Sequence, residues 1–261
     1  MATTPEPAET FTQRAGRVRA RLHPRVGPEL YAGWLQDPGQ LVPADSGSTW
    51  RGTSPDGRWF VKLRPGRKGR RALEHTLDVG LLLEDAGVPA CLPLALLRAP
   101  RLGTPEATWL VSELLEGRDL DLVLAESDEP QRRALVAKVG ELIAELHAAG
   151  FRQRDLKAPN LMVVEGGSVV LVDLEGIRLR NGGIGRHLRT KDLGRLAASF
   201  LALDLCEGPD SAWRHLLARY LERCRELGET PLADLDEWEA RSLGRGRAKV
   251  KRNAKRGRVL R

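Results

Sequence analysis

The feature that most constrains this chain is a run of polar residues set between apolar stretches. It reads Gln-Arg-Asp-Leu-Lys-Ala-Pro-Asn-Leu-Met over residues 153–162, and Val-Asp-Leu-Glu-Gly follows at 172–176. Two short β-branched runs, 161–164 and 169–172, flank a Glu-Gly-Gly-Ser turn, which predicts a hairpin. The hairpin would place an Asp, a Lys and an Asn before its first strand and a second Asp after its last.

Phosphoryl transfer is the reaction that this spacing suits. It needs a carboxylate to hold the acceptor hydroxyl and take its proton, and hard oxygen ligands for the Mg²⁺ that bridges the ATP phosphates. Asp155 suits the first task, and Asn160 and Asp173 suit the second. Lys157 would place a positive charge on the transferring group. A charged surface loop would explain one of these residues alone, but the four together with the hairpin predict a phosphotransferase that uses ATP and Mg²⁺.

The composition fits a soluble protein with two lobes. The chain has 261 residues, of which 41% are hydrophobic and 30% charged, and no apolar run approaches the roughly 18 residues of a membrane span. Residues 1–25 are rich in Pro, Thr and Arg and lack the apolar core of a signal peptide. We therefore expect a cytoplasmic protein with a flexible segment at 1–29. The three cysteines are far apart, which favours reduced thiols over a metal site or disulfides.

The positive charge is concentrated at the C-terminus. Ten of the 42 Lys and Arg lie in residues 241–261, which contain no acid. We expect a basic tail that attracts an anionic membrane surface, at the inner face of the inner membrane if the acceptor is a glycolipid. A solvated, partly helical end without a partner is the alternative. No aromatic residue interrupts the charges, so nucleic-acid binding is not favoured.

The first half of the chain predicts a small lobe of strands. Residues 41–53 and 58–64 are two strand-like runs joined by a Pro-Asp-Gly turn. Lys62 lies among apolar residues of the second run and is the candidate for the lysine that binds ATP phosphates, although an edge-strand Lys facing water would look the same. Gly47 and Ser48 lie in a turn that would cover the phosphates. This turn lacks the GxGxxG pattern, and an ordinary Ser/Gly turn is the alternative.

A helix over residues 67–86 follows, with Leu at every fourth position on one face. The strand lysine requires a carboxylate from this helix. Glu74 is the first choice, with Asp78 and Glu84 as rivals if the helical register differs. Many acids on helices are simply solvated, so the sequence alone leaves this choice open.

The strand predicted at 107–113 leads out of this lobe. The backbone of Glu113 and Leu115 would meet adenine at the following hinge. The predicted boundaries are therefore 30–116 for the N-lobe and 117–240 for the C-lobe.

The second half predicts a mainly helical lobe. Residues 131–149 carry apolar side chains at helical spacing, with Ser127 or Asp128 as the N-cap. Another helix is predicted at 193–205. Asp192 would brace the backbone of the catalytic loop, or alternatively act only as a helix-terminal acid stabilised by the dipole.

The segment after Asp173 indicates the kind of acceptor. The motif at 191–196 follows within 20 residues, and the stretch between contains a short glycine-rich turn at 181–185. The Ala-Pro-Glu element with which protein kinases bind peptides is missing. A small-molecule or glycolipid acceptor therefore fits better than a protein.

These motifs resemble the lipopolysaccharide core kinases, the Kdo/heptose kinase family with a protein-kinase-like fold. The resemblance covers roughly residues 44–205 and is carried by 153–162, 172–176, Lys-Asp-Leu-Gly-Arg-Leu at 191–196 and Ala-Gly-Val-Pro-Ala-Cys-Leu-Pro-Leu-Ala at 86–95. It implies an α+β fold of two lobes: a small antiparallel sheet with a helix, and a larger helical lobe.

The resemblance also implies ATP-dependent phosphorylation of a Kdo or heptose hydroxyl, with the site residues in the roles given above. Gln153 stands where the kinase pattern has His, Leu174-Glu175 replaces Phe-Gly, and the glycine-rich loop is thin. The first two differences concern the scaffold, and the third concerns nucleotide affinity. Two alternatives remain: an atypical small Ser/Thr protein kinase, which Lys157 favours, and a pseudokinase that binds nucleotide or lipid without turnover.

Overall fold

The chain divides into two structural units, Met1–Leu115 and Glu116–Arg261. The computed structural model describes residues 10–15, 18–36, 40–44, 49–99, 107–229 and 234–255. The first unit combines an antiparallel sheet with two helices, and the second is mainly helical. The predicted α+β class is confirmed.

The first unit is built on a sheet of seven described strands. They are β1 (Phe11–Ala15), β2 (Val18–Leu22), β3 (Gln40–Pro43), β4 (Trp50–Thr53), β5 (Trp59–Pro65), β6 (Pro93–Ala99) and β7 (Ala107–Glu113), in the order β1-β2-β6-β7-β5-β4-β3. Lys62 of β5 pairs with Arg51 on one side and Leu110 on the other. Because β5 lies inside the sheet, the edge-strand alternative for Lys62 is wrong.

The described residues 11–15 and 18–22 form strands β1 and β2, within the segment 1–29 that the sequence predicted to be flexible. Strand β2 joins the sheet through β6, with Leu22 opposite Ala95. Its apolar residues alternate with arginines, so Ala20 and Leu22 are buried. Helix α1 (Pro28–Gln36) packs Trp34 into the same core cluster. The prediction failed because the partner of β2 lies about 70 residues further along the chain.

The predicted strand at 41–53 is two strands rather than one. β3 and β4 pair antiparallel, with Pro43 opposite Trp50, and the amide of Ala44 donates to the carbonyl of Thr49 at 2.8 Å. Gly47 and Ser48 lie outside the described residues.

Helix α2 (Gly66–Asp85) follows β5 directly and agrees with the predicted helix at 67–86. Its apolar face packs on the sheet in a cluster formed by Leu73, Leu77, Leu81, Leu96 and Leu110.

The second unit carries five helices and five short strands in its described residues. They are β8 (Gly117–Asp119), α3 (Leu120–Glu126), α4 (Glu129–Ala148), β9 (Phe151–Gln153), β10 (Leu161–Val164), β11 (Val169–Leu171), β12 (Ile177–Leu179), α5 (Arg186–Ala202), α6 (Ala212–Glu226) and α7 (Leu235–Lys255). Asp128 caps α4 in a capping box with Gln131. Gly140 allows α4 and α6 to approach closely, since a Cβ there would lie 2.6 Å from the carbonyl oxygen of Leu216.

The basic C-terminal segment is a folded helix as far as Lys255, so the predicted tail over 241–261 is wrong for its described part. Helix α7 buries Trp238, Ser242 and Gly246, which recur at intervals of four residues on one face. The indole N–H of Trp213 donates to Ser242 Oγ at 3.2 Å. Because Ser242 and Gly246 are small and not strongly apolar, this buried face shows no apolar periodicity in the sequence.

Replacing Trp238 by Ala is expected to lower the free energy of unfolding by about 3–5 kcal/mol, because a fully buried indole is removed. Urea unfolding of the full chain measures the loss. Arg247→Ala, on the exposed face of the same helix, is the control and should change stability by less than about 0.5 kcal/mol. Equal stability of the two variants would show that α7 does not pack as described.

Candidate active site

Two short strand pairs bring the candidate catalytic loop, residues 153–160 (called the catalytic loop below), next to the segment that follows the hairpin. Strand β9 pairs with β12, with Gln153 opposite Ile177, and β10 pairs with β11, with Leu161 opposite Leu171. At the two ends of the loop, the Arg154 amide donates to the Gly176 carbonyl at 3.0 Å, and the Val172 amide donates to the Asn160 carbonyl at 3.2 Å. The loop and the segment 172–176 are therefore fixed side by side, in the arrangement that the hairpin pattern predicts.

Asp155 presents its carboxylate to solvent. Its side chain is 54% exposed, and Oδ2 lies 3.5 Å from Nζ of Lys157. The side-chain amide of Asn160 donates to the Asp155 carbonyl at 2.8 Å and lies 3.4 Å from Oδ2. The backbone of Asp155 is thus fixed while its carboxylate remains accessible, as a proton acceptor for a hydroxyl requires.

Asn160 and Asp173 provide oxygen atoms suited to Mg²⁺. Because Nδ2 of Asn160 is used by the Asp155 carbonyl, its Oδ1 is left as an acceptor. Asp173 accepts from the Glu175 amide through Oδ1 at 3.4 Å, and no described residue donates to its Oδ2. One carboxamide and one carboxylate oxygen are the hard ligands that Mg²⁺ prefers. The residues present therefore fit this ion.

Gln153 links the two acidic residues of the site. Its Nε2 donates to the Asp173 carbonyl at 2.6 Å, and its Oε1 accepts from the Asp155 amide at 3.0 Å. The side chain is fully buried, and Gly176 leaves room for it, since a Cβ there would collide with the Gln153 amide. The residue that departs from the kinase pattern thus joins the backbone of Asp155 to that of Asp173.

Asp192 braces this site through a side chain rather than through the loop backbone. Helix α5 begins at Arg186, so Asp192 lies inside it, and the helix-terminal alternative is wrong. Its Oδ1 accepts from Arg152 of β9 at 2.6 Å and from Arg195 at 2.8 Å. The loop backbone is held instead by Ser199, whose Oγ accepts from the Ala158 amide at 3.2 Å.

His147 belongs to the core beneath the site. It is fully buried, and Nδ1 lies 3.0 Å from the hydroxyl of Tyr220. Burial lowers the pKa of His147, even though Asp192 raises it. A neutral histidine with an aromatic partner is structural, and it is not available as a catalytic base.

Sequence reasoning missed two basic residues whose charges act on Asp155. Arg195 lies on α5 and Lys249 on α7. Lys249 lies within the segment interpreted as a tail, so no pattern linked it to the loop. One feature of the sequence could have indicated that Lys249 faces the protein: it follows the buried Gly246 by three residues. Residues at that spacing lie on the same face of a helix.

The nucleotide-binding candidates of the first unit lie on β5 and α2. Asp78 pairs with Arg21 at 2.8 Å and Glu84 with His23 at 2.6 Å, so both rivals hold strand β2 and the turn after it. Glu74 Oε1 lies 3.6 Å from Nε of Arg70. The pairing of Glu74 with Lys62 stays a prediction, with Glu74 the remaining candidate on this helix.

The predicted hinge begins at the end of β7. The Glu113 amide donates to the Leu92 carbonyl at 3.2 Å, and the Glu113 carbonyl accepts from the Cys91 thiol at 3.4 Å. Burial raises the pKa of Cys91 to about 12, which keeps the thiol protonated as a donor. Leu115 makes no backbone hydrogen bond with the described residues, so its N–H and C=O are left for a ligand such as adenine.

The chain is similar in sequence to known kinases. The lipopolysaccharide kinase (Kdo/WaaP) family matches residues 81–220, more than half of the chain. The 3-deoxy-D-manno-octulosonic acid kinase of Vibrio parahaemolyticus serotype O3:K6 is 28% identical over 199 residues, covering 64% of this chain and 80% of that protein. The maternal embryonic leucine zipper kinase of Xenopus laevis is 30% identical over 90 residues, covering 33% of this chain and 14% of that protein.

The fold also has a counterpart among solved structures. The bifunctional kinase-methyltransferase WbdD superposes with a TM-score of 0.50 at 16% identity, covering 82% of this chain and 51% of that one. Within the described residues, no helix is long and apolar enough to cross a membrane. The chain belongs to the lipopolysaccharide kinase (Kdo/WaaP) family, has the protein-kinase-like fold expected from its sequence, and is a phosphotransferase that acts on an alcohol group.

Proposed function

We propose that the protein transfers the γ-phosphate of ATP to a hydroxyl of a Kdo or heptose residue in the lipopolysaccharide inner core. One observation carries the proposal: the buried Gln153 amide holds an exposed Asp155 beside Asp173. A proton acceptor would then lie next to oxygen ligands for a metal, and the family and the Vibrio relative support a sugar hydroxyl as the acceptor.

The residues of the second unit have separate tasks in this reaction. Asp155 orients the acceptor hydroxyl and takes its proton. Lys157, held 3.5 Å from that carboxylate, directs its charge at the transferring phosphoryl group. Asn160 and Asp173 would hold Mg²⁺, which when bound neutralises charge on the ATP phosphates.

The first unit would hold the nucleotide. Lys62 would bind the phosphates with Glu74 as its partner, and the turn with Gly47 and Ser48 would cover them. The N–H and C=O of Leu115 would meet adenine together with the second lone pair of the Glu113 carbonyl, since the Glu113 N–H is bonded to Leu92. The free N–H and C=O of Leu115 support that placement.

Transfer of labelled γ-phosphate from MgATP tests the proposal. The full chain is incubated with deacylated lipopolysaccharide core, with a generic protein acceptor, and alone. Label on the core is the expected result. Label on protein alone would favour an atypical Ser/Thr protein kinase, and nucleotide binding without any transfer would favour a pseudokinase.

We also propose that α7 binds the anionic inner face of the membrane. Its exposed side carries Lys251, Arg252 and Lys255, and each basic residue at such a surface contributes about 1 kcal/mol. Changing all three to Gln should weaken binding to phosphatidylserine vesicles on the order of 100-fold at low salt.

Co-sedimentation with these vesicles, at several salt concentrations, measures that loss. A triple change of exposed arginines on other surfaces of the unit, Arg133, Arg180 and Arg225 to Gln, is the control with the same change in net charge. If both triple variants lost the same amount of vesicle binding, net charge alone would explain the loss, and the proposed role of α7 would be contradicted.

A further inference from the structure

Helix α7 is fixed against the catalytic loop through α5. At the crossing of the two helices, a Cβ on Gly194 would lie 2.5 Å from Cβ of Arg245, and a Cβ on Gly246 would lie 3.1 Å from Cβ of Ala197. A side chain at 194 would therefore collide with Arg245, and one at 246 would crowd Ala197, so the two glycines allow the helices to approach closely. Because α5 also holds the loop through Ser199, α7 has a defined position relative to Asp155.

Lys249 comes one turn after this crossing and is half-buried. It makes no hydrogen bond or ion pair with any described residue. Burial lowers the pKa of its ammonium group, Asp155 raises it, and Arg195 and Lys157 lower it. A partly desolvated ammonium without a direct partner is unfavourable unless an anion completes its surroundings.

Positive charge exceeds negative charge around Asp155. Lys157 lies 3.5 Å from its carboxylate, and Arg195 is held nearby by Asp192 at 2.8 Å. Lys249 is the third cation acting on this carboxylate, and it comes from a different helix. Asp192 neutralises Arg195 only in part, because it also pairs with Arg152 at 2.6 Å. Even with Asp173, which Gln153 holds beside Asp155, three carboxylates face the four cations Arg152, Lys157, Arg195 and Lys249. This excess of positive charge favours a further oxyanion next to the hydroxyl that Asp155 would receive.

We propose that Lys249, with Arg195, forms a subsite that binds an anionic group of the acceptor sugar and so selects an acceptor with a carboxylate or phosphate near the reacting hydroxyl. The inference rests on the proposed function and deepens it, since it names the acceptor chemistry that α7 recognises. A sugar acid has such a carboxylate, and a phosphate already present on the core offers the same oxyanion.

The experiment compares steady-state transfer to three deacylated cores: intact, carboxyl-reduced and dephosphorylated. Lys249→Met keeps the length of the side chain and removes its charge, Lys249→Arg keeps the charge, and Arg247→Met is the control on the exposed face of α7. With the intact core, Lys249→Met should raise the acceptor KM about tenfold or more while the KM for ATP stays constant. Lys249→Arg should have an acceptor KM close to that of the wild type, and Arg247→Met should have the wild-type KM.

The modified cores identify the anion. If wild type and Lys249→Met become equal on the carboxyl-reduced core, the anion is the carboxylate; if they become equal on the dephosphorylated core, it is a phosphate. Equal loss on all three cores, an unchanged acceptor KM, or a rise only in the KM for ATP would each overturn the proposal.

Binding without turnover separates this inference from the proposed function. With MgADP present, calorimetric titration of the full chain with 3-deoxy-D-manno-octulosonic acid and its carboxyl-reduced form does not depend on transfer. If the wild type labels no core, the proposed function fails. The subsite then stands only if the acid binds at least about tenfold more tightly than the reduced form and Lys249→Met removes the difference; equal or undetectable binding of both sugars would overturn it.

Discussion

Asp155→Asn is expected to lower the rate of phosphate transfer by about 10²–10⁴-fold, the usual contribution of a positioned general base. The substitution keeps the shape of the side chain, and the hydrogen bond from Asn160 to the backbone carbonyl of residue 155 is unaffected. Only the negative charge and the ability to take a proton are lost. Because the oxygens of Asn160 and Asp173 remain in place, the affinity for MgATP should not change.

Single-turnover transfer to deacylated core, together with the Kd for MgATP, measures these two effects separately. Asp210→Asn removes an exposed carboxylate elsewhere in the same unit and should retain wild-type transfer. If Asp155→Asn retained full activity, or lost activity only through weaker MgATP binding, Asp155 would not be the proton acceptor.

The catalytic loop could be predicted from sequence because its geometry is local. The Glu-Gly-Gly-Ser turn at 165–168 lies between the paired strands β10 and β11, so Asp173 follows the hairpin where the pattern places it. Helix α4 was also predicted from the sequence, because its buried residues recur at helical spacing and Asp128 is a typical N-cap residue. In both cases the residues that determine the structure are close together in the chain.

The parts that sequence reasoning missed depend on partners far along the chain. Strand β2 is ordered by β6, and α7 by a crossing of small residues with α5, which no apolar pattern indicates. The Gln153 bridge likewise requires the carbonyl of Asp173, 20 residues later, to lie within reach. The segment interpreted as a basic tail is therefore, in its described part, a helix that packs on α5 and carries Lys249.

Asp173→Asn should raise the Mg²⁺ concentration needed for half-maximal activity at least about tenfold, and lower kcat/KM by about 10²–10³-fold or more. The amide keeps an oxygen acceptor for the Glu175 N–H, so the turn after β11 is retained. What is lost is the negative charge that would hold the metal. Activity measured against Mg²⁺ concentration at fixed ATP shows the shift.

High Mg²⁺ should partly restore Asp173→Asn and leave Asp155→Asn unchanged, because only the first variant is limited by metal binding. Glu165→Gln removes an exposed carboxylate from the turn of the same hairpin, so it controls for charge and should keep the wild-type Mg²⁺ dependence. An unshifted Mg²⁺ curve for Asp173→Asn, or the same shift in Glu165→Gln, would remove Asp173 from the metal site. Asp155 and Asp173, which Gln153 joins, would then have to serve a reaction other than metal-dependent phosphate transfer.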